Sequence, residues 1–329
     1  MPGFHDIIGQ EHIKEHFIKA IENRTVSHAY ILAGEPGMGK MMMAKAFAQT
    51  LLCEKGETEP CMECHSCLQF LSDNHPDVIY VRHEKPNSIG VDDVRVQINN
   101  DIAIKPYSSA YKIYIVDDAQ KMTIQAQNAL LKTIEEPPSY GIILLLSSNT
   151  DAFLPTILSR CITMKFRPLQ DKDIQAYLTD RLGLPRDQAD ISTAFARGNL
   201  GKAIELASSE AFAIMREKVL HIMRNVKDMD ISDLLSSIRE LVDLKLDINE
   251  CLDFMQMWYR DVLMFKVTNN INLLIFKDEY KSISDAAKVA SFEGLESVVH
   301  AVDKAKIRLG ANVNMELAME LLLLTMKEN

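Results

Sequence analysis

The stretch Gly34-Glu35-Pro36-Gly37-Met38-Gly39-Lys40-Met41 constrains this chain more than any other. The apolar run Ala29-Tyr30-Ile31-Leu32-Ala33 before it reads as a buried strand, and Met42 to Leu52 after it reads as a helix. Strand, glycine-rich loop, lysine and helix in that order make a phosphate-binding loop. Gly34, Gly37 and Gly39 let backbone N–H groups converge on phosphate oxygens, Lys40 adds a point charge, and the helix N-terminus adds a favourable dipole. One position departs from the pattern. After the lysine such a loop carries Ser or Thr, whose hydroxyl ligates Mg²⁺. Met41 stands there instead, and a thioether has little affinity for a hard cation.

The chain has 329 residues, enough for two or three domains, and a formal net charge of −10. That charge argues against a free-standing, high-affinity nucleic-acid binder, because neutralising phosphates supplies most non-specific affinity. It leaves room for a modest DNA contact inside a larger assembly. No apolar run is long enough to span a membrane, and the start of the sequence shows no signal-peptide pattern, so a reducing, cytoplasmic location is expected.

In a reducing compartment, clustered cysteines point to metal before disulfide. Cys61, Cys64 and Cys67 stand at two successive Cys-x₂-Cys steps, and Cys53 lies eight residues upstream. Sulfurs from one tight turn reach a single ion, and a fourth thiolate from the preceding helix end closes a tetrahedral Cys₄ site. His65 lies between the two steps and is the lesser ligand candidate. Four protein ligands leave no open position for water, so a structural Zn²⁺ is expected rather than a catalytic one. The bland alternative is four reduced structural thiols.

Tyr111 to Ala119 is an apolar strand ending in Asp117 and Asp118. Beside a phosphate loop, such a strand carries an Asp that orients Mg²⁺ and a second acid that polarises the attacking water. Asp-Asp also caps helices well, but the upstream loop favours the first reading and predicts this strand as the neighbour of the loop strand. Asp118 is one methylene shorter than the usual Glu, a second weak part, because errors of about 1 Å in position cost roughly 10²-fold in rate. Further strands are expected at 77–81, 142–146 and 162–166, and Ser147-Ser148-Asn149-Thr150 falls at a strand end where polar groups meet ligand. Helices are expected at 7–22, 91–102, 123–134, 171–182, 186–196 and 202–207. From about residue 211 the pattern is helical throughout: 212–226, 231–244, 248–267, 295–309 and 315–326. Met255, Met257 and Met264 read as core filler. Lys105, Lys112, Lys121 and Lys132 are scattered cations that could touch a DNA backbone.

The order of these features resembles the clamp-loader branch of AAA+ proteins. The resemblance is carried by Phe4-His5-Asp6-Ile7-Ile8-Gly9-Gln10, Ser27-His28-Ala29-Tyr30, the phosphate loop, the four cysteines and the Asp117 strand. It continues through Asn128 to Pro138 and Leu154-Pro155-Thr156-Ile157-Leu158-Ser159-Arg160-Cys161. It is dense from 4 to 168 and fades after about 207, where the Asn312-Val313-Asn314 entry to the last helix is one of its few marks. The resemblance implies an α/β RecA-like AAA+ core over 1–166 with the zinc module at about 53–67, a small helical lid over 167–208, and an all-α collar over 209–329. It implies a ring with gamma/tau and delta subunits that loads the sliding clamp onto primed DNA as part of the DNA polymerase III holoenzyme. ATP would sit at subunit interfaces, with Arg160 supplied in trans as an arginine finger to a neighbour's site.

Departures from the family pattern separate its members. Motor subunits carry Ser or Thr where Met41 stands, and a phosphate-sensing Arg in the lid where this chain has Gly201, within Gly198-Asn199-Leu200-Gly201. Lys202, one step on, would substitute only if its helix shifted. These changes favour a subunit that binds ATP or ADP weakly through Gly34, Gly37, Gly39, Lys40 and Asp117, with Mg²⁺ poorly supported and no ATPase turnover of its own. The alternative is an active gamma/tau-like motor. A zinc-dependent nucleic-acid module fits least, because the segment from Glu54 to Glu63 is acidic and shows no basic, aromatic-interleaved face.

Overall fold

A computed structural model describes residues 3–83, 85–244, 247–311 and 313–329. Asn312, part of the expected entry to the last helix, lies outside the described residues. The chain divides into two compact units: Met1–Ile174 with Ala196–Lys202, and Gln175–Phe195 with Ala203–Asn329.

The first unit is built on a five-stranded parallel sheet. Its strands are β1 (Ala29–Ala33), β2 (Val78–Tyr80), β3 (Lys112–Val116), β4 (Gly141–Ser147) and β5 (Ile162–Lys165), in the spatial order β2-β3-β4-β1-β5. β1, β3 and β4 are buried along their whole length, as expected for apolar strands covered on both faces. The expectation that the Asp117 strand neighbours the loop strand is corrected by the register. β4 lies between them, with Leu32 opposite Leu146 on one side and Tyr114 opposite Ile143 on the other. Local sequence tells that a strand ends in carboxylates, but not which strand it pairs with.

Alternation along the strands sorts the helices onto the two faces. Tyr30, Leu32, Ile115 and Leu144 face α1 (Glu11–Glu22) and α2 (Lys40–Leu52), where Phe17 stacks on Phe47 with ring centroids 4.1 Å apart. Ile31, Tyr114, Val116 and Leu145 face the opposite way. They pack with α4 (Val91–Val94), the π-helical turn Arg95–Asn99, α5 (Ile124–Glu135) and α6 (Pro155–Leu158). Between α2 and β2 sits the short α3 (His65–Leu71). The first helix starts later than its apolar spacing predicts. Gly9 and Gln10 both have positive φ, and Gln10 turns its side-chain amide onto Arg167, accepting from Arg167 N at 2.9 Å and donating to Arg167 O at 2.6 Å.

Past β5 the chain runs through α7 (Asp171–Ala176), α8 (Arg186–Ala196) and α9 (Leu200–Ser208). The second unit continues with α10 (Glu210–Asn225), α11 (Ile231–Asp243), α12 (Ile248–Thr268), α13 (Tyr280–Val289), α14 (Phe292–Gly310) and α15 (Met315–Glu328). α12 runs through its core, burying Leu252, Phe254, Met255, Trp258 and Val262. Met255 is fully buried, with Met257 packed against the same cluster, in keeping with methionine as filler. α13 is not among the helices expected from the sequence: Tyr280 to Val289 is rich in small and polar residues, and its buried face is only Ile283, Ser284 and Ala287. Asp261 on α12 is also fully buried. It accepts from Ile275 N at 2.7 Å, Phe276 N at 2.9 Å and Arg260 Nη1 at 2.6 Å, tying the loop before α13 to α12. Burial pushes its carboxyl above the usual value, and these bonds hold it back.

Candidate functional site

Because the sheet is parallel, the carboxyl ends of β1, β3 and β4 lie along one edge, where ligands meet open α/β sheets. β1 runs directly into the phosphate loop. Gly37 and Gly39 have φ of +85° and +90°, which a residue with a Cβ rarely adopts, and Gly39 leads into α2. Beside the loop is a cavity of about 530 Å³ lined by Gly37, Lys40, Met41, Lys45, Asp117 and Asp118, among others. The structure thus brings together Gly37, Gly39, Lys40 and Asp117, while Gly34 enters the loop through a bond from its N–H to Ser147 O at 2.9 Å.

The chemistry of that cavity is limited by how its polar groups are used. Lys40 Nζ donates to Gly34 O at 2.6 Å and Glu35 O at 2.9 Å, so two of its three donors serve its own loop. Burial lowers its pKa, and Asp117, Asp118 and Glu35 pull it back up. Met41 packs against the hydrophobic cluster on the α2 face of the sheet. Asp118, in a left-handed conformation, pairs through Oδ2 with Lys121 Nζ at 2.8 Å and accepts at Oδ1 from Gln120 Nε2 at 3.0 Å. The Lys121 bond holds its carboxyl below the usual carboxylate range, the wrong direction for a general base. Asp117 Oδ1 accepts from Asp118 N at 3.0 Å. The polar run after β4 is also occupied internally: Asn149 Oδ1 accepts from Asp151 N at 2.9 Å, and Ser147 Oγ donates to Asn149 O at 2.8 Å. Gly201 N donates to Gly37 O at 3.0 Å, so the position where the resemblance places a lid arginine touches the loop through backbone alone. Lys202 is exposed, and its N–H is bonded to Asn199 Oδ1 at 3.1 Å.

The cysteines behave differently. The sulfurs of Cys53, Cys61, Cys64 and Cys67 all lie within 4.8 Å of one another. A tetrahedral ion with Zn–S bonds of about 2.3 Å needs sulfurs about 3.8 Å apart, so the cluster fits a metal such as zinc with small adjustment. Backbone N–H groups point at the sulfurs: Cys61 N to Cys53 Sγ at 3.5 Å, Cys64 N to Cys61 Sγ at 3.3 Å and Cys67 N to Cys64 Sγ at 3.4 Å. Bonds of this kind favour thiolate. At Cys61 the N–H groups of Glu63 and Cys64 bring the thiol down to about 6, while burial pushes Cys53 and Cys67 up. His65 is exposed and outside the cluster. Among the described residues this is the one group of cysteine, histidine and carboxylate side chains gathered closely enough to hold an ion. Glu59, on the same loop, anchors the module by accepting from Phe4 N at 2.9 Å and His5 N at 3.0 Å.

Nearby, Ser66, His75 and Asp77 look like a catalytic triad by residue type. Ser66 Oγ lies 3.0 Å from His75 Nε2, but all three residues are buried. Asp77 meets His75 Nδ1 through its backbone N–H, and its carboxylate accepts from Tyr107 N, Ser108 N and Ser109 N. The set is a structural stitch with no access for substrate.

Arg160 sits at the C-terminal end of α6 with an exposed guanidinium. Nη2 lies 3.0 Å from Glu135 Oε1, and Nη1 donates to Thr156 O at 3.1 Å and Ser159 Oγ at 3.3 Å. Nothing in the sequence marks its partner Glu135, since a carboxylate at a helix end is ordinary. Two of the four candidate DNA-facing lysines have ion-pair partners, one of them in the interior. Lys112 is buried and pairs with Asp101 at 2.8 Å, and Lys121 pairs with Asp118; Lys105 and Lys132 are exposed.

No helix among the described residues is long and apolar enough to cross a membrane. Residues 9–170 match the family described as DNA polymerase III, delta subunit, and residues 214–328 match its C-terminal family. The DNA polymerase III subunit delta' of Bacillus subtilis is 31% identical over 97% of this chain and 96% of its own length. The DNA polymerase III subunit tau of the same organism is 28% identical over 83% of this chain, which spans 52% of that relative. Among solved structures, the Thermotoga maritima RuvB Holliday junction branch migration motor aligns over 97% of this chain and 87% of its own, at 14% identity and a TM-score of 0.46.

Proposed function

The chain belongs to the DNA polymerase III delta-subunit family, and from that premise we propose that it is a clamp-loader subunit in the delta' position. In this role it helps load the sliding clamp onto primed DNA with gamma/tau and delta partners, and it completes a neighbour's ATP site without hydrolysing ATP itself. The observation that carries this reading is the state of the phosphate loop. Met41 offers Mg²⁺ no hydroxyl, Asp118 is engaged by Lys121 and Gln120, and Gly201 stands where an arginine would reach the γ-phosphate. Each change removes a different part of the same step. The cavity and the third donor of Lys40 support weak binding of ATP or ADP at Gly34, Gly37, Gly39, Lys40 and Asp117, with turnover absent.

Arg160 is the residue this reading makes useful. Its side chain is 39% exposed on the turn after a short helix, and its surface ion pair with Glu135 is the kind worth only about 0–1 kcal/mol. A neighbour's γ-phosphate would therefore draw it away at little cost. The four cysteines would hold one structural Zn²⁺. The division into core, lid and collar at 166 and 208 remains our reading of the functional parts. The collar reading is supported by an apolar stripe on α15: Leu317, Leu321 and Leu324 recur at helical spacing and are 49%, 42% and 37% exposed.

The test is reconstitution. The isolated chain should show no ATP turnover, with or without DNA. Arg160→Ala should leave assembly with gamma/tau and delta partners intact while cutting turnover at one interface by roughly 10³-fold or more. Normal turnover by that complex removes the finger role, and robust turnover by the isolated chain, abolished by Lys40→Ala, restores the motor reading.

A further inference from the structure

Residues Ala196–Lys202 cluster with the first unit, although the residues on either side of them belong to the second. The reason lies in two residues. Asn199 is 4% exposed and uses both ends of its amide: Oδ1 accepts from Lys202 N at 3.1 Å, capping α9, and Nδ2 donates to Pro36 O at 2.7 Å. Gly201 N, a first-turn N–H with no partner inside its own helix, donates to Gly37 O at 3.0 Å. Helix start and phosphate loop thus satisfy each other's backbone.

The approach is as close as two glycines allow. A Cβ at Gly201 would lie 2.5 Å from Gly37 O and 2.6 Å from Gly37 Cα. A Cβ at Gly37, besides being strained at φ +85°, would lie 2.8 Å from Asn199 Oδ1. Backbone atoms cannot swing aside as a side-chain end does. Any side chain at 201, an arginine included, forces the two segments apart. The missing arginine and the backbone contact are therefore one feature rather than a loss beside an accident.

We propose that residues 199–202 are a built-in partner of the phosphate loop, holding it and the start of α9 engaged whether or not nucleotide is present. The Asn199 amide and the Gly201 N–H make directly, protein to protein, a link that an arginine at 201 would make through a bound phosphate. The cavity on the Lys40 side stays open, so a nucleotide can enter it, but the loop's Gly37 side is already bound and the position of the segment carries no report of what the cavity holds. The proposal stands on this geometry and does not depend on Arg160 or on the clamp-loader role.

Hydrogen exchange on the full chain tests it, read at peptides covering 34–41 and 197–203, with and without saturating ADP. In the wild type both peptides should be protected, and ADP should leave the exchange of 197–203 unchanged. Asn199→Asp keeps an acceptor for Lys202 N but removes the donor to Pro36 O. It should speed exchange of the loop peptide by about tenfold while α9 stays protected. Gly201→Ala should speed both peptides more, and if that variant does not fold, Asn199→Asp decides alone. Unchanged exchange of the loop in Asn199→Asp overturns the proposal. So does ADP-dependent protection of 197–203 in the wild type, because the segment would then be responding to nucleotide.

Discussion

The phosphate loop and the cysteine cluster are both short, local motifs, yet they differ in what their reactive atoms are doing. At the loop the charged side chains and one carbonyl have partners within the fold. Lys40 bonds Gly34 O and Glu35 O, Asp118 bonds Lys121 and Gln120, and Gly37 O takes the N–H of Gly201. At the cluster four sulfurs converge, and backbone N–H bonds to those of Cys53, Cys61 and Cys64 favour the ligating form. On the proposed reading, the loop keeps its shape while these groups serve the fold. A site whose four sulfurs converge within 4.8 Å of one another keeps the geometry of a metal-ligand set.

The largest effect that sharpens this contrast is expected at the cysteines. Replacing Cys61 and Cys64 together with Ser should lower bound zinc from about one ion per chain to none. It should also destabilise the 53–71 segment by a few kcal/mol, short of the ~10–16 kcal/mol of isolated zinc-finger peptides. The loss is smaller here because packing holds part of the module without metal: Phe70 is buried, and Ser66 Oγ donates to Leu52 O at 2.7 Å. Metal analysis and thermal unfolding read both consequences. Full stability without metal would make the cluster ordinary reduced thiols and erase the contrast from that side.

What could be read in advance follows the same division between local and distant causes. The cysteine steps, the loop and the buried strands at 29–33 and 142–146 are legible because a few adjacent residues determine them. The place of β4 between β1 and β3 is not, since strand order is set by crossovers that no single segment encodes. The use of Gly201 is not legible either. Sequence shows a glycine where an arginine is expected, but only the fold brings it against Gly37, far away in the chain. The same holds for Asp261, whose donors Ile275 and Phe276 lie beyond the end of its own helix, and for Glu135, which meets Arg160 from a different helix. Lys112 reads as a surface cation until the structure pairs it with Asp101 in the interior.

A smaller effect separates a structural lysine from a catalytic one. Lys40→Ala removes two charge-assisted bonds to loop carbonyls and should cost about 1–3 kcal/mol of stability. It should leave ATP turnover by the reconstituted complex where it was. A catalytic lysine gives the reverse pattern, lost turnover with little change in unfolding. Met41→Thr supplies the hydroxyl that Mg²⁺ needs, yet turnover by the isolated chain should stay at background, because Asp118 remains bonded to Lys121. Turnover gained from that single change would show that the loop is one residue from working rather than absorbed into the fold.

The smallest effect is at Asp118. Its carboxyl is held below the usual range, chiefly by the Lys121 bond. A carboxylate with a depressed folded pKa contributes stability above its unfolded value of about 3.9, and that contribution is lost as pH falls through the folded value. The pair joins positions three apart and is largely solvent-exposed, so screening keeps its worth to about 0–1 kcal/mol. Asp118→Asn should therefore show a slight loss of stability at neutral pH that shrinks with added salt and closes in acid below about pH 4. Turnover by the reconstituted complex should not change. If turnover falls while the stability difference stays this small, Asp118 is acting on a water or a metal at its own loop, and the contrast between the loop and the cysteine cluster fails at the residue where it is easiest to measure.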